Sequence, residues 1–255
     1  MFEVKCEQYI AENSPDHLRP TGTRRDNSSN PRFNEKLYRL FGIDTQLKLL
    51  DLGCSGGGFV RSLLDDGNIA IGIEGSDYSK NNKRAEWRSI PEFLFTCDIT
   101  KNFRVFDGEF STEVEFDVIT SWEVMEHIKE EDLPAVIENV KHHLKENGMW
   151  IISISNTSHI VDGIELHQTR QPKEWWGNLF GKYGLVDNKL LLRYFNRQYV
   201  RGRNETEVGY HFILMKSDSV SPVIPRINVS DRILDWWFGS YLHKGLYFLN
   251  TGKRL

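Results

Sequence analysis

The sequence predicts an α/β domain built on a mostly parallel sheet of seven strands with helices on both faces. From Leu47 onwards, short apolar runs alternate with longer amphipathic segments, and two further β-type runs follow near the end. This alternation is typical of a parallel sheet that is covered on both sides. The chain has 255 residues, 39% of them hydrophobic and 27% charged, which is enough to form a core of this kind.

The individual elements follow from the periodicity of apolar residues. Seven strands are predicted, at Leu47–Leu52, Ile69–Ile73, Glu92–Thr96, Phe116–Thr120, Met149–Ile154, Lys189–Phe195 and Gly209–Lys216. Helices are predicted at Arg32–Phe41, Leu133–Leu144 and Pro172–Tyr183. We interpret the chain as three parts: a loop and helical cap at 1–45, the α/β domain at 46–216, and a linker with an aromatic tail at 217–255.

Composition restricts the possible partners and the compartment. A net charge of −4 gives no general attraction to nucleic acid or anionic membranes. The cysteines, Cys6, Cys54 and Cys97, are odd in number and include no Cys-x-x-Cys pair, which argues against a disulfide framework or a thiolate zinc site. We find neither a signal-peptide pattern nor a membrane-spanning run. The sequence therefore predicts a cytoplasmic protein.

The strongest local signal is a glycine-rich turn after the first strand, Asp51-Leu52-Gly53-Cys54-Ser55-Gly56-Gly57-Gly58. Glycine allows the backbone to bend sharply and to approach a ligand without a Cβ atom in the way. In doubly wound sheets, the first strand-to-helix turn is where nucleotide-like ligands bind.

Acids end three successive strands, at Asp51, Glu74 and Asp98. Glu74 follows Asp51 by 23 residues, close to the roughly 20 residues expected for a carboxylate that binds ribose hydroxyls. We expect the three acids to lie along one edge of the sheet.

The glycine turn and the three acids resemble the class I S-adenosylmethionine (AdoMet)-dependent methyltransferases, over about residues 47–155, with Ser55 where the family has its middle glycine. The resemblance implies a Rossmann-like fold. It places Asp51 and Gly53 beside the methionine part of AdoMet, Glu74 on the ribose and Asp98 near the adenine. The same likeness adds these residues to the cofactor site: Cys54, Ser55, Gly57, Gly75, Ile99, Ser121 and Trp122. An NAD site is disfavoured because Gly-x-Gly-x-x-Gly is absent and Asp51 would repel a pyrophosphate.

A second motif, Glu123-x-x-Glu126-His127, follows the fourth strand. At spacings i, i+3 and i+4, the three side chains would share one face of a helix. The alternative is a solvated helix start in which Glu123 pairs with His127. The run resembles the Glu-x-x-Glu-His segment of ubiquinone-pathway O-methyltransferases and of small-RNA ribose 2′-O-methyltransferases. In the latter, these residues and a later histidine bind a divalent metal.

That likeness implies a site for Mg²⁺ or Mn²⁺ formed by Glu123, Glu126, His127 and His167, with His159 as the rival to His167. Without a metal, His167 or His127 is the expected catalytic base. The expected acceptor is a hydroxyl of a sugar, glycan or small metabolite. Two alternatives stay open, an RNA ribose 2′-O-methyltransferase and a non-catalytic AdoMet-binding module, and nucleic acid is not the expected partner.

Three aromatic or basic groups have two interpretations each. The tryptophans Trp122, Trp175 and Trp176 form either an aromatic wall for the acceptor or part of the core. The basic residues among aromatics, Arg193, Arg197, Arg201 and Arg203, either hold phosphate or carboxylate or lie on a solvated connection. The aromatic tail at 235–249 either packs onto its own domain or contacts a lipid-linked substrate or a second subunit.

Overall fold

A seven-stranded sheet forms the centre of the computed structural model, which describes residues 1–202 and 208–239. The strands are β1 (Phe2–Cys6), β2 (Lys48–Leu52), β3 (Ile69–Glu74), β4 (Leu94–Thr96), β5 (Phe103–Asp107), β6 (Thr112–Glu113), β7 (Phe116–Trp122), β8 (Leu144–Ser155), β9 (Ile160–Val161), β10 (Ile164–Glu165), β11 (Leu185–Asp187) and β12 (Gly209–Lys216). The helices are α1 (Pro15–Leu18), α2 (Thr21–Arg25), α3 (Pro31–Phe41), α4 (Gly58–Asp65), α5 (Tyr78–Asn81), α6 (Leu133–His143), α7 (Lys173–Lys182), α8 (Lys189–Phe195) and α9 (Val229–Gly239).

The large sheet has the strand order β11-β12-β8-β7-β2-β3-β4. Neighbours from β8 to β4 run parallel, whereas β12 is antiparallel to β8 and β11 is antiparallel to β12. This arrangement confirms the predicted mostly parallel, seven-stranded, Rossmann-like sheet. The carboxyl ends of β2, β3 and β7 meet at one edge, which is where such sheets bind ligands.

Apolar side chains cover both faces of this sheet. On one face, Val136 and Val140 of α6 and Trp176 and Phe180 of α7 pack against the strands. The other face is covered by α3, α4 and α8. Helix α3 begins where Asn30 accepts hydrogen bonds from the backbone N–H groups of Arg32 and Phe33. Burial on both faces explains why the sequences of the parallel strands are nearly continuous apolar runs.

The prediction of a strand at Lys189–Phe195 is wrong, because this segment is helix α8. Asn188 caps it by accepting from the N–H groups of Leu190 and Leu191, and Asn196 ends it in the left-handed conformation. The sheet nevertheless has seven strands, since the short β11 occupies the expected edge position.

The terminal segments also differ from the predictions. The part predicted as a loop and helical cap at 1–45 contains the short helices α1 and α2 before the predicted helix α3. Strand β1 pairs with β5, which pairs with β6, in a small antiparallel sheet that the sequence did not indicate. Within the part predicted as a linker with an aromatic tail at 217–255, helix α9 begins at Val229, and residues 240–255 lie outside the described residues. Within the described ranges, no helix is both long and apolar enough to cross a membrane.

Candidate active site

A cavity of about 600 Å³ opens at the carboxyl edge of the parallel strands. The glycine turn after β2 forms its floor, and residues from the N-terminal segment 11–23 and from the segment 155–168 enclose it. This volume lies in the range of pockets that bind small molecules and cofactors. The topology therefore brings the two sequence motifs and two covering segments to one place.

The carboxylate of Glu74 holds the glycine turn in shape. Its oxygens accept hydrogen bonds from the backbone N–H of Ser55 at 2.7 Å and of Ser76 at 3.2 Å. Burial raises the pKa of Glu74, while these two N–H groups act in the opposite direction. Each carboxylate oxygen keeps further acceptor capacity for a ligand hydroxyl.

Gly53 occupies a position in this turn that only glycine fits. Its φ angle is +76°, and a Cβ atom there would lie 2.3 Å from Cγ2 of Val124. Any larger residue would therefore collide with the segment that follows β7.

The structure separates the predicted cofactor residues into two groups. Those that line the cavity are Gly53, Ser55, Glu74, Gly75, Asp98, Ile99 and Trp122. Those that are not among its lining residues are Asp51, Cys54, Gly57 and Ser121. Asp51 is buried, its Oδ1 accepts from the hydroxyl of Thr120 at 2.6 Å, and burial raises its pKa to about 8. Asp51 and Ser121 belong to strands β2 and β7, whereas Cys54 and Gly57 belong to the turn itself.

Glu126, His127 and His167 form a cluster next to the cofactor edge. One potential metal-ligating atom from each residue lies within 4.8 Å of the others. Oε1 of the fully buried Glu126 accepts from the N–H of Ser155 at 2.9 Å, whereas Oε2 has no hydrogen-bond partner among the described residues. Burial raises the pKa of Glu126 to about 7. A buried carboxylate oxygen without a partner is costly unless a proton or a cation compensates it.

Each histidine in the cluster has one ring nitrogen already engaged. Nδ1 of His167 lies 2.6 Å from the carbonyl oxygen of Thr157, so Nδ1 carries the proton and Nε2 keeps its lone pair. Burial, followed by the nearby His127, lowers the pKa of His167 to about 4, so this ring is neutral at pH 7. Nδ1 of His127 lies 2.6 Å from Oδ2 of Asp16. Burial alone would lower the pKa of His127, but Asp16 and the neighbouring glutamates raise it.

The prediction that Glu123, Glu126 and His127 share one face of an α-helix is wrong. Strand β7 runs to Trp122, Glu123 has a φ angle of +55°, and Met125–His127 is a single 3₁₀ turn. The Glu123 carboxylate turns to Arg201 at 2.9 Å, and Arg201 also contacts Asp26 at 3.3 Å. The structure thus joins three of the four predicted metal ligands and places Glu123 in an ion pair.

Sequence reasoning missed Asp16 and gave no specific role to Arg201. Both line the cavity, although one lies in the N-terminal segment and the other beyond α8. No local pattern marks Asp16, because its role arises only when α1 is placed over the 3₁₀ turn. His159, the rival of His167, also lines the cavity, and its ring centroid is 5.4 Å from that of His167.

The structure also divides the aromatic and basic residues singled out in the sequence into those that line the cavity and those that do not. Trp176 is fully buried and Trp175 packs against the same core, so within the described chain Trp122 alone of the three lines the cavity. Arg193 and Arg197 are exposed, and Arg203 lies outside the described residues.

A family model described as a methyltransferase domain matches residues 24–205. The chain belongs to this methyltransferase family. It is an AdoMet-dependent methyltransferase, as the glycine turn and the three acids at the strand ends imply through their resemblance to that class.

Named relatives of this methyltransferase include two curated bacterial proteins. It is 30% identical over 190 residues to a ubiquinone biosynthesis O-methyltransferase of Glaesserella parasuis, covering 71% of this chain and 73% of that protein. A ubiquinone biosynthesis O-methyltransferase of Pasteurella multocida is 31% identical over 123 residues, covering 44% of this chain and 48% of that protein. A solved structure of an S-adenosylmethionine-dependent methyltransferase from Clostridium acetobutylicum has a TM-score of 0.49 and 14% identity, covering 79% and 95% of the two chains.

Proposed function

We propose that this methyltransferase transfers the methyl group of AdoMet to a hydroxyl of a polar acceptor, either a sugar of a glycan or a hydroxylated small metabolite. The observation that carries the proposal is the cluster of Glu126, His127 and His167 in the same cavity as the glycine turn. The names of the two curated relatives, both O-methyltransferases, support transfer to oxygen.

We assign the cofactor to the half of the cavity that contains Gly53, Glu74 and Asp98. Glu74 would accept from the two ribose hydroxyls, since each of its oxygens still has acceptor capacity beside the N–H groups of Ser55 and Ser76. Asp98 would accept from the adenine amino group. In this assignment residues 46–216 form the catalytic domain, and residues 1–45 form a cap that contributes cavity-lining residues.

An acceptor hydroxyl must lose its proton as it attacks the sulfonium methyl. Neutral His167 is suited to receive that proton, because its Nδ1–H donates to the carbonyl oxygen of Thr157 and leaves Nε2 free to accept. The remaining task of the protein is to hold the two reacting atoms in line, as the enclosed cavity allows.

Alternatively, the same three side chains suit one divalent cation such as Mn²⁺ or Mg²⁺, and Nε2 of His167 would then bind the cation instead of acting as the base. The atoms that would bind the cation are Oε2 of Glu126, which has no hydrogen-bond partner among the described residues, and Nε2 of His127 and of His167. In both histidines the other ring nitrogen, Nδ1, already has a contact. A carboxylate with two imidazoles suits Mn²⁺ better than Mg²⁺. A bound cation would lower the pKa of a hydroxyl next to it from about 15.7 toward ~7.

The polarity of the surroundings supports a sugar or polyol as the acceptor. A second cleft meets the first at His167, and its lining is polar throughout: Glu130, Asn156, Glu165, Gln168, Thr169, Arg170 and Gln171. Such side chains suit a ligand rich in hydroxyls. The burial of Trp176 in the core removes one side of the aromatic wall that a flat ring would use.

We also propose a cytoplasmic location. Cys6, Cys54 and Cys97 are all free thiols, and two of them are buried, as expected for a protein that folds in a reducing compartment.

Mass spectrometry of acceptor pools incubated with methyl-labelled AdoMet tests the proposed reaction. We expect labelled O-methyl groups on glycans or hydroxylated metabolites, and none with His167→Ala. Label on nitrogen or carbon would contradict the proposal, and label confined to RNA ribose would replace its acceptor. AdoMet binding without any turnover would indicate a non-catalytic module.

The metal part is tested separately by titrating the dialysed protein with Mn²⁺ in a calorimeter. We expect one site, weakened about tenfold or more in Glu126→Gln. The control is His142→Ala, which alters an exposed histidine paired with Glu113 at a distance from the cavity. Absence of Mn²⁺ binding together with full activity in EDTA would remove the metal and leave His167 as the base.

A further inference from the structure

Arg201 lies on a closely packed segment next to the cavity. Its carbonyl oxygen accepts a hydrogen bond from Nε2 of His211 in β12 at 3.1 Å. A Cβ atom on the following residue, Gly202, would lie 2.6 Å both from Nε2 of His211 and from Cβ of Ser153 in β8. The backbone that carries Arg201 is therefore pressed against β12 and β8, and this contact limits where its guanidinium group can reach.

The guanidinium group of Arg201 stands between two carboxylates. It contacts Oε2 of Glu123 at 2.9 Å and Oδ2 of Asp26 at 3.3 Å. Burial alone would lower the pKa of Arg201, but Asp26 and Glu123 raise it, so the group stays charged. The side chain lines the cavity, and a guanidinium group has five N–H donors, more than these two contacts use. Donors therefore remain for a ligand.

The strand order places Arg201 on the side of the cavity away from the acids assigned to ribose and adenine. Strands β4, β3, β2 and β7 follow one another along the sheet. Glu74 ends β3 and Asp98 follows β4, whereas Arg201 pairs with Glu123, which follows β7. Burial raises the pKa of Asp51 in β2 to about 8, and the charge of Arg201 acts in the opposite direction, so Arg201 also lies near β2. With the nucleoside at β3 and β4, the amino-acid end of AdoMet extends toward β2 and β7.

We propose that Arg201 binds the α-carboxylate of the methionine part of AdoMet and so selects cofactors that carry this group. A guanidinium group matches a carboxylate with two parallel N–H···O bonds, which are stronger than bonds between neutral groups. The methionine end is a zwitterion, and the acids beside Arg201, Asp26 and Glu123, offer negative charge for its ammonium group. This inference rests on the cofactor assignment made under the proposed function and is independent of the acceptor.

Calorimetry of the full chain with three ligands tests this role. S-adenosylhomocysteine carries both the carboxylate and the ammonium group, its decarboxylated form carries the ammonium group alone, and 5′-methylthioadenosine carries neither. We expect Arg201→Gln to weaken the binding of S-adenosylhomocysteine by about 30-fold or more. The affinities for the other two ligands should change by less than about threefold, because neither offers a carboxylate to Arg201. Arg201→Lys, which keeps the charge but loses the paired N–H groups, should give an intermediate loss for S-adenosylhomocysteine.

Arg193→Gln is the matched control, because Arg193 is an exposed arginine of α8 outside the cavity, and it should bind all three ligands like the wild type. If Arg201→Gln does not fold, Arg201→Lys carries the comparison, since it keeps a cation beside Asp26 and Glu123. A loss of equal size for all three ligands would overturn the proposal, because Arg201 would then only support the shape of the site. Unchanged binding of S-adenosylhomocysteine would overturn it as well. A wrong cofactor assignment is recognised separately, since Glu74→Ala should weaken all three ligands.

Discussion

Nδ1 of His127 lies 2.6 Å from Oδ2 of Asp16, which joins a residue after β7 to a residue of the N-terminal helix α1. A carboxylate this close attracts the imidazole ring and favours a proton on Nδ1. In the neutral ring, the other nitrogen, Nε2, keeps its lone pair for a ligand.

The first prediction concerns this pair. Asp16→Asn should lower the affinity of the dialysed protein for Mn²⁺ by roughly tenfold to a hundredfold, because the ring of His127 loses its fixed orientation. Its affinity for AdoMet should change less than its affinity for Mn²⁺, since Asp16 contacts His127 directly and acts on Glu74 only through its charge. Calorimetry measures both. Glu12→Gln, an exposed residue of the same segment, is the control; equal Mn²⁺ affinity in both variants would show that Asp16 does not position His127.

The second prediction tests the cofactor assignment. Glu74→Ala should weaken AdoMet binding by about 30-fold or more, because it removes two charge-assisted acceptors and the support of the turn. Glu92→Ala changes an exposed acid outside the cavity and should bind AdoMet normally. Calorimetry with AdoMet measures the affinity of each variant relative to the wild type. An unchanged affinity in folded Glu74→Ala would refute the assignment of the ribose to this carboxylate.

The third prediction concerns backbone space at the turn. Gly53→Ala should lower the free energy of unfolding by about 3 kcal/mol or more, since it combines a positive φ angle with a clash against Val124. Gly177→Ala lies in α7, where a Cβ meets nothing within 4 Å, and should stabilise by about 0.5–1 kcal/mol. Urea unfolding compares them. If both alanines had the same effect, the close approach at Gly53 would be disproved.

The fourth prediction concerns acid stability. Hydrogen bonds from Arg39 are the largest cause that lowers the pKa of Asp231. A carboxyl whose pKa is lower in the folded state stabilises the protein above its unfolded value of about 3.9. This stabilisation is lost as the pH falls from there through the folded value. Stability measured by urea unfolding from pH 6 to pH 3 should therefore fall less in Asp231→Asn than in the wild type.

Asp44→Asn serves as the control for this acid series, because Asp44 is exposed near the end of α3. Its stability should follow the wild-type curve. An Asp231→Asn curve parallel to that of the wild type would contradict the role of the α3–α9 ion pairs.

Most of the fold and half of the site follow from local sequence patterns. The apolar runs predicted the parallel strands, since burial on both faces leaves few other residue types possible. The acids and glycines around Gly53 predicted the cofactor family, because a sharp turn after a strand restricts which residues fit. The prediction of a strand at Lys189–Phe195 was wrong, since seven mostly apolar residues suit a strand or a buried helix equally. The cap at Asn188 decides in favour of the helix.

The sequence by itself therefore determined the sheet, the glycine turn and the methyltransferase family, because these depend on periodicity and on steric limits within a few residues. Only the tertiary structure decided that Glu123 pairs with Arg201 and that Asp16 contacts His127. Each of these pairs joins segments far apart in the chain. Electrostatic contacts of this kind depend on distance in space, and residues that meet only after folding leave no pattern along the sequence.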